Sequence, residues 1–165
     1  MNTHQQQLQM SDQDDIEILV GQYADSLFRL CYAILRNCED AEDAVSETLI
    51  KYLEKAPTFI EEEHRKAWLI RVASNTCKDM LRSNRYREHV DLNEVCLFTS
   101  EPSDSGVLKA LLRLPEKYRT VIYLYYIEGY LATEIADILN ISPVSVRKRL
   151  QNGRKKLKLE YRKER

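Results

Sequence analysis

Residues 133–150 read TEIADILNISPVSVRKRL. Ile135, Leu139, Ile141, Val146 and Leu150 fall where two short crossing helices would meet, enough for a miniature core that fixes their angle. Ala136 is small where the crossing is tightest. Asn140 can take the left-handed conformation that a tight turn between helices demands. Thr133 reads as the cap of the first helix, and Ser142-Pro143 as the opening of the second, which continues to about Tyr161. The pattern predicts a helix-turn-helix. With Val146, Leu150 and Leu157 inward, the other face carries Ser145, Arg147, Lys148, Gln151, Asn152 and Lys155, side chains able to reach base edges or phosphates in a major groove. Arg149 and Arg154 read as phosphate ligands or intradomain props, with Lys156 and Lys158 alongside. A solvated basic face without a ligand is the plain alternative. Gly153 stands inside this helix, at an expected cost of ~1 kcal/mol relative to Ala.

Working outward, two more helices precede this unit, one over 105–113 and one over 115–127 that starts at a proline and stops before Gly129. Residues 91–104 lose helical periodicity and contain Ser100, Pro102, Ser103 and Asp104, which predicts a linker. Upstream, three amphipathic helices are expected. The first follows Ser11 with Leu19, Val20, Tyr23, Leu27, Leu30, Cys31, Ile34 and Leu35 inward, and Asn37 as a left-handed stop. The second opens on Glu39-Asp40, turns Ala41, Ala44, Val45, Thr48, Leu49, Tyr52 and Leu53 inward, and is closed by Pro57. The third runs from Lys66 to about Tyr86 with Leu69, Val72, Ala73, Thr76 and Met80 inward. The expected fold class is all-α: residues 1–11 disordered, a helical domain over 12–90, a flexible linker over 91–104 and a second helical domain over 105–165.

Composition narrows the functions. The net charge of −1 hides a segregation: residues 1–64 hold 4 Lys/Arg and 14 Asp/Glu, 65–90 hold 7 and 2, 91–108 hold none and 4, and 109–165 hold 14 and 6. Two separate electropositive surfaces suited to a polyanion follow from that. The longest apolar run, residues 121–127, is too short to span a bilayer, and the first eleven residues have neither basic charge nor an apolar block, so no secretory leader is expected. Four cysteines, Cys31, Cys38, Cys77 and Cys96, lack the spacing of a disulfide frame or zinc site and suit reduced thiols.

Three blocks, DAEDAVSETL at 40–49, AWLIRVASNTCKDMLR at 67–82, and the stretch from ALLRLPEKYR at 110–119 to Arg154, resemble the extracytoplasmic-function (ECF) sigma factors of the bacterial sigma-70 family, in the family's order and over about 14–160. The resemblance implies that 12–90 is sigma domain 2 and 105–165 sigma domain 4. The partners it implies are core RNA polymerase, through the β′ clamp helices and the β flap, promoter DNA, and an anti-sigma factor. The polymerase-facing residues would be Asp40, Glu42, Asp43, Ser46, Glu47, Ile50 and Lys51, with Ser46 standing where the family usually has Gln. The minus-ten element would be melted and read by the third helix and the loop at 59–63: Asn75 and Lys78 facing bases, Arg71 and Arg82 holding phosphates, Phe59 near the pocket of a flipped base, and Trp68 either wedged at the fork or packed in the core. The minus-thirty-five element would be read by Ser145, Arg147, Lys148, Gln151 and Asn152, with Arg149 and Arg154 as phosphate ligands or intradomain props. The implied location is the cytoplasm, with the anti-sigma factor able to hold the chain at the membrane.

A 14-residue linker spans at most ~50 Å, against ~34 Å for one turn of duplex. Both domains could then share one promoter only with the linker nearly taut. No phosphate loop, catalytic constellation or metal-ligand spacing is present in the sequence, so neither enzyme activity, cofactor nor small-molecule substrate is expected. The rivals are a stand-alone helix-turn-helix regulator that binds DNA without polymerase and a helical adaptor.

Overall fold

The computed structural model describes residues 3–83 and 105–163, with side chains from residues 15 and 106 onward in the two stretches. The expected end of the third helix near Tyr86, the boundary at 90 and the linker at 91–104 lie outside the described residues. Those residues form seven helices and no strand: α1 (Thr3–Leu35), α2 (Cys38–Lys55), α3 (Glu62–Arg82), α4 (Ser105–Arg113), α5 (Glu116–Tyr126), α6 (Ala132–Leu139) and α7 (Pro143–Lys163).

The segment at 1–11, expected to be disordered, is helical from Thr3 onward, and α1 runs through Ser11 without a cap there. The run of Gln, Leu and Met favours helix, and no Gly or Pro interrupts it before Gly21. Residues Asp15–Leu35 are long and apolar enough by composition to cross a membrane, yet half of that stretch is buried as the central helix of the first domain. Leu27, Leu30 and Ile34 of α1 pack with Ala41, Ala44 and Val45 of α2 and Leu69 and Ala73 of α3. Val20 and Leu53, assigned inward from spacing, are 40 % and 51 % exposed, because the neighbouring helices cover a narrower stripe than the apolar pattern marks. The stop between α1 and α2 also differs from expectation. Arg36 takes the left-handed conformation (φ 58°), while Asn37 is extended and its side chain accepts the Asp40 amide as the N-cap of α2.

In the second domain the turn at Asn140 is left-handed as expected (φ 54°, ψ 49°), and Ser142 caps α7 by accepting the Ser145 amide at 3.1 Å. The cap of α6 moves from Thr133 to Leu131, whose amide donates to Glu134 at 2.8 Å: the carboxylate three residues on reaches back where no hydroxyl is in place. Likewise Pro115 sits just outside α5 rather than in its first turn. Gly153 is no weak point. It is buried, and a Cβ there would lie 3.1 Å from Ile122 Cγ1 and 3.4 Å from Tyr118 Cβ, so glycine is what lets α7 lie directly against α5.

The two domains also pack against each other, α1 on α5 and α3 on α6. Arg119 of α5 is 1 % exposed, and its guanidinium donates to the carbonyls of Ala33, Ile34 (2.6 Å) and Leu114 (2.5 Å). Those carbonyls belong to the last turn of α1 and the α4–α5 junction. A buried cation is tolerable only with such full satisfaction, and here the partners are the carbonyl-rich, negative end of a helix.

Candidate nucleic-acid and polymerase interfaces

Helix α7 buries only Val146, Leu150 and Gly153. Everything else on it faces outward or borders a neighbour. Arg147, Lys148, Gln151 and Arg154 are exposed, and Asn152 is half-buried beside them. Ser145 is half-buried and receives a hydrogen bond from the Ser142 hydroxyl at 2.8 Å, so the cap occupies it. Arg154 donates to the Tyr126 hydroxyl at 3.2 Å, which makes it a brace between α7 and the end of α5. Arg149 turns the other way, toward α3, and is half-buried.

On α3, Arg71 and Asn75 are exposed on one side of the helix, Lys78 is half-buried, and Arg82 lies 3.8 Å from Asp79. Burial, with the Arg149 and Arg82 cations adding to it, lowers the Lys78 ammonium below the usual lysine range, while Glu116 pulls the other way. Trp68 belongs to an aromatic cluster. It meets Tyr52 edge-on at 5.8 Å and Phe59 at 6.2 Å, and Arg65 lies over the Phe59 ring at 5.9 Å. Trp68 and Phe59 therefore share one partly buried stack at the start of α3. The acidic run before α3 is structural in part: Glu62 accepts from the Tyr23 hydroxyl and from Arg65, and Glu62 and Glu63 sit in the helix's positive first turn.

Helix α2 presents a third face. Glu42, Asp43, Ser46, Glu47 and Ile50 are exposed along it and Asp40 is half-buried. Lys51 leans away from that face, paired with Glu47 at 2.9 Å and donating to Thr76 of α3 at 3.2 Å. An acidic strip with an exposed isoleucine (54 %) and leucine (Leu53, 51 %) at its end suits a protein partner with a basic, partly apolar surface.

Residues 19–87 match the model of sigma-70 region 2, and residues 106–157 that of sigma-70, region 4. The chain is 31 % identical to the ECF RNA polymerase sigma factor SigW of Bacillus subtilis (strain 168), over 94 % of both chains. It belongs to the ECF sigma factors of the sigma-70 family. SigV of the same organism is 28 % identical over 88 % of this sigma factor and 90 % of SigV. In fold, the sigma factor is similar to RpoE in its co-crystal structure with the anti-sigma factor NepR from Bartonella quintana (TM-score 0.69, 22 % identity, 92 % and 99 % of the two chains). It is also similar to CnrH in complex with the cytosolic domain of CnrY (TM-score 0.65, 24 % identity, 89 % and 87 %).

Within this sigma factor the α3 residues expected to contact the minus-ten element border the second domain. A cavity of about 460 Å³ is lined from one side by Asn75, Lys78 and Arg82 and from the other by Asn140, Arg149 and Lys117. Lys78 Nζ donates to the carbonyl of Leu139, the last residue of α6, at 3.4 Å. At the far side of the interface Glu128, just past α5, accepts from Ser26 of α1 at 3.2 Å and pairs with Lys66 of α3 at 3.2 Å, its side chain 8 % exposed. Burial and then the Glu128 and Glu134 carboxylates push the neighbouring Tyr130 hydroxyl up to about 12. Sequence reasoning passed over Arg119, Glu128 and Lys66. The available signal was Arg119, a lone arginine on the inward stripe of an apolar helix.

Proposed function

We propose that this sigma factor, which directs RNA polymerase to promoters, divides the work among three helices. Helix α7 reads the minus-thirty-five element through Arg147, Lys148, Gln151 and Asn152, with Arg154 on a phosphate, while Arg149, turned toward α3, acts as a prop. Helix α3 opens and reads the minus-ten element through Asn75 and Lys78, with Arg71 and Arg82 on the backbone and the Phe59–Trp68 stack near the extruded base. Extruding a base costs a few kcal/mol, and an aromatic platform offsets it. Helix α2 docks on the β′ clamp helices through Asp40, Glu42, Asp43, Ser46, Glu47 and Ile50. Lys51, in contact with Thr76, ties this face to α3.

The observation that carries the reading is the separation of charge in space: two cationic helices on different domains, and an acidic helix on the first domain with an apolar end. For the β flap, the fitting surface is an apolar groove of about 430 Å³ on the second domain, lined by Val107, Leu111, Ile122, Tyr126, Ile127 and Leu157. The chain performs no covalent chemistry of its own in this reading. It works in the cytoplasm with polymerase, and an anti-sigma factor, as in the RpoE complex with NepR, is a regulatory partner that can hold it at the membrane. Run-off transcription with purified core on a randomised promoter library tests the reading: a consistent pair of elements should emerge with the chain present. Transcripts with no selected upstream sequence would overturn it.

A further inference from the structure

We propose that the arrangement described above is a self-closed state of the free chain, in which the second domain covers the base-reading side of α3, and that Glu128 is the latch that sets how much of the chain is closed. The proposal rests on the reading of Asn75 and Lys78 as minus-ten contacts. Lys78 is committed to the Leu139 carbonyl, and Asn75 and Arg82 open into the cavity that Asn140 and Arg149 line from across the interface. Arg71, Asn75 and Arg82 stand exposed at the rim, but a single strand that also engaged Lys78 would have to displace α6 and the turn at Asn140. The two states therefore exclude each other sterically: closed without DNA, or open on it.

On the α3 side the interface has the composition of a switch rather than of a permanent core. Around the cavity, Lys78, Arg82, Lys117 and Arg149 confront one another with Glu116 as the one carboxylate in the lining, so like charges face each other across the gap and oppose closure. Closure must be supplied elsewhere. Arg119, buried on the Ala33 and Ile34 carbonyls, anchors α5 to α1, and Glu128 adds the adjustable part, because one nearly buried carboxylate joins three elements, its own loop after α5, Ser26 on α1 and Lys66 on α3. Such a pair, partly desolvated and doubly hydrogen-bonded, is sensitive to loss of either partner. Neither Glu128 nor Lys66 belongs to a surface assigned above to DNA or polymerase.

The test is a charge swap in the full-length chain. Glu128→Lys sets like charges against each other at Lys66. Adding Lys66→Glu to it restores the pair with the net charge of the wild type. The radius of gyration by small-angle scattering reads the closed fraction. The affinity of the free chain for a single-stranded minus-ten oligonucleotide, of the sequence selected in the promoter library, reads access to α3. The single variant should be larger and should bind the oligonucleotide about tenfold more tightly, as loss of a half-buried ion pair and its hydrogen bond predicts, and the double variant should return both to wild-type values. Ser26→Ala, which removes one bond of the latch, should move both in the same direction by a smaller factor and serves if Glu128→Lys does not fold. Unchanged size and affinity in the single variant, or failure of the double variant to restore them, overturns the latch. The reading beneath it fails separately: Asn75→Ala in the holoenzyme, with the latch intact, would then leave promoter melting untouched.

Discussion

Helices α3 and α7 are the same length, 21 residues each, and both carry cations on one side, but the fold holds them differently. Helix α7 packs on α4, α5 and α6 through three buried residues and half-buried Leu157 and Tyr161, and leaves Arg147, Lys148 and Gln151 outward. Helix α3 buries six, Leu69, Ile70, Ala73, Ser74, Thr76 and Cys77, because α1 and α2 cover one side and α6 covers another. Val72 and Met80, which spacing put in the core, are only half-buried, while Ile70 and Cys77, which it did not, are fully enclosed. The second domain also takes up part of this helix, where Lys78 meets α6. A cationic helix is ready to bind only when nothing else in the chain has a use for the same side.

The contrast can be broken most forcefully at Arg119. Replacing it by Met should remove about 3–5 kcal/mol of stability, because three buried carbonyls lose their donor at once; urea denaturation measures it. Gly153→Val attacks the other helix. It should cost about 1–3 kcal/mol by forcing a branched side chain against Ile122, and it should lift α7 from α5. The same denaturation reads it, and a variant as stable as the parent would mean α7 is less tightly seated than described. A finer comparison uses the free chain on duplex DNA. Arg147→Ala should weaken binding to the minus-thirty-five element by roughly tenfold, the ~1–3 kcal/mol of one base-reading arginine, whereas Lys78→Ala should leave it unchanged until core polymerase is added. Equal losses at both positions in the free chain would erase the distinction between the helices. Smallest is Ser142→Ala, which should lower thermal stability by the ~1 kcal/mol of an N-cap without altering core binding.

Much of this was legible in the sequence, and the reasons are local. The Asn140 turn, the Ser142 cap and the inward stripe of α7 are written within a few residues of one another, so short-range rules suffice. The stop of α1 and the cap of α6 were each misplaced, because several residues in a row can serve and only the backbone decides which. The shared face of α3 was not legible at all. It depends on contacts such as Lys78 with Leu139 and Ser26 with Glu128, whose partners lie 61 and 102 residues apart. Composition marks Arg119 as odd, but not which carbonyls it seeks. Gly153 shows the same gap: propensity rates it unfavourable, whereas packing requires it.

That glycine has a consequence for how promoter choice could change over time. It lies one residue from Asn152 and two from Gln151, on the opposite side of the helix, and bare backbone there rests on Ile122 and Tyr118. In the reading proposed for α7, the pitch and roll of its outward groups are therefore set from behind, by the shape of two side chains on α5. Alterations at Ile122 or Tyr118 would tilt the whole row of readers together, retuning sequence preference with every reader still in place.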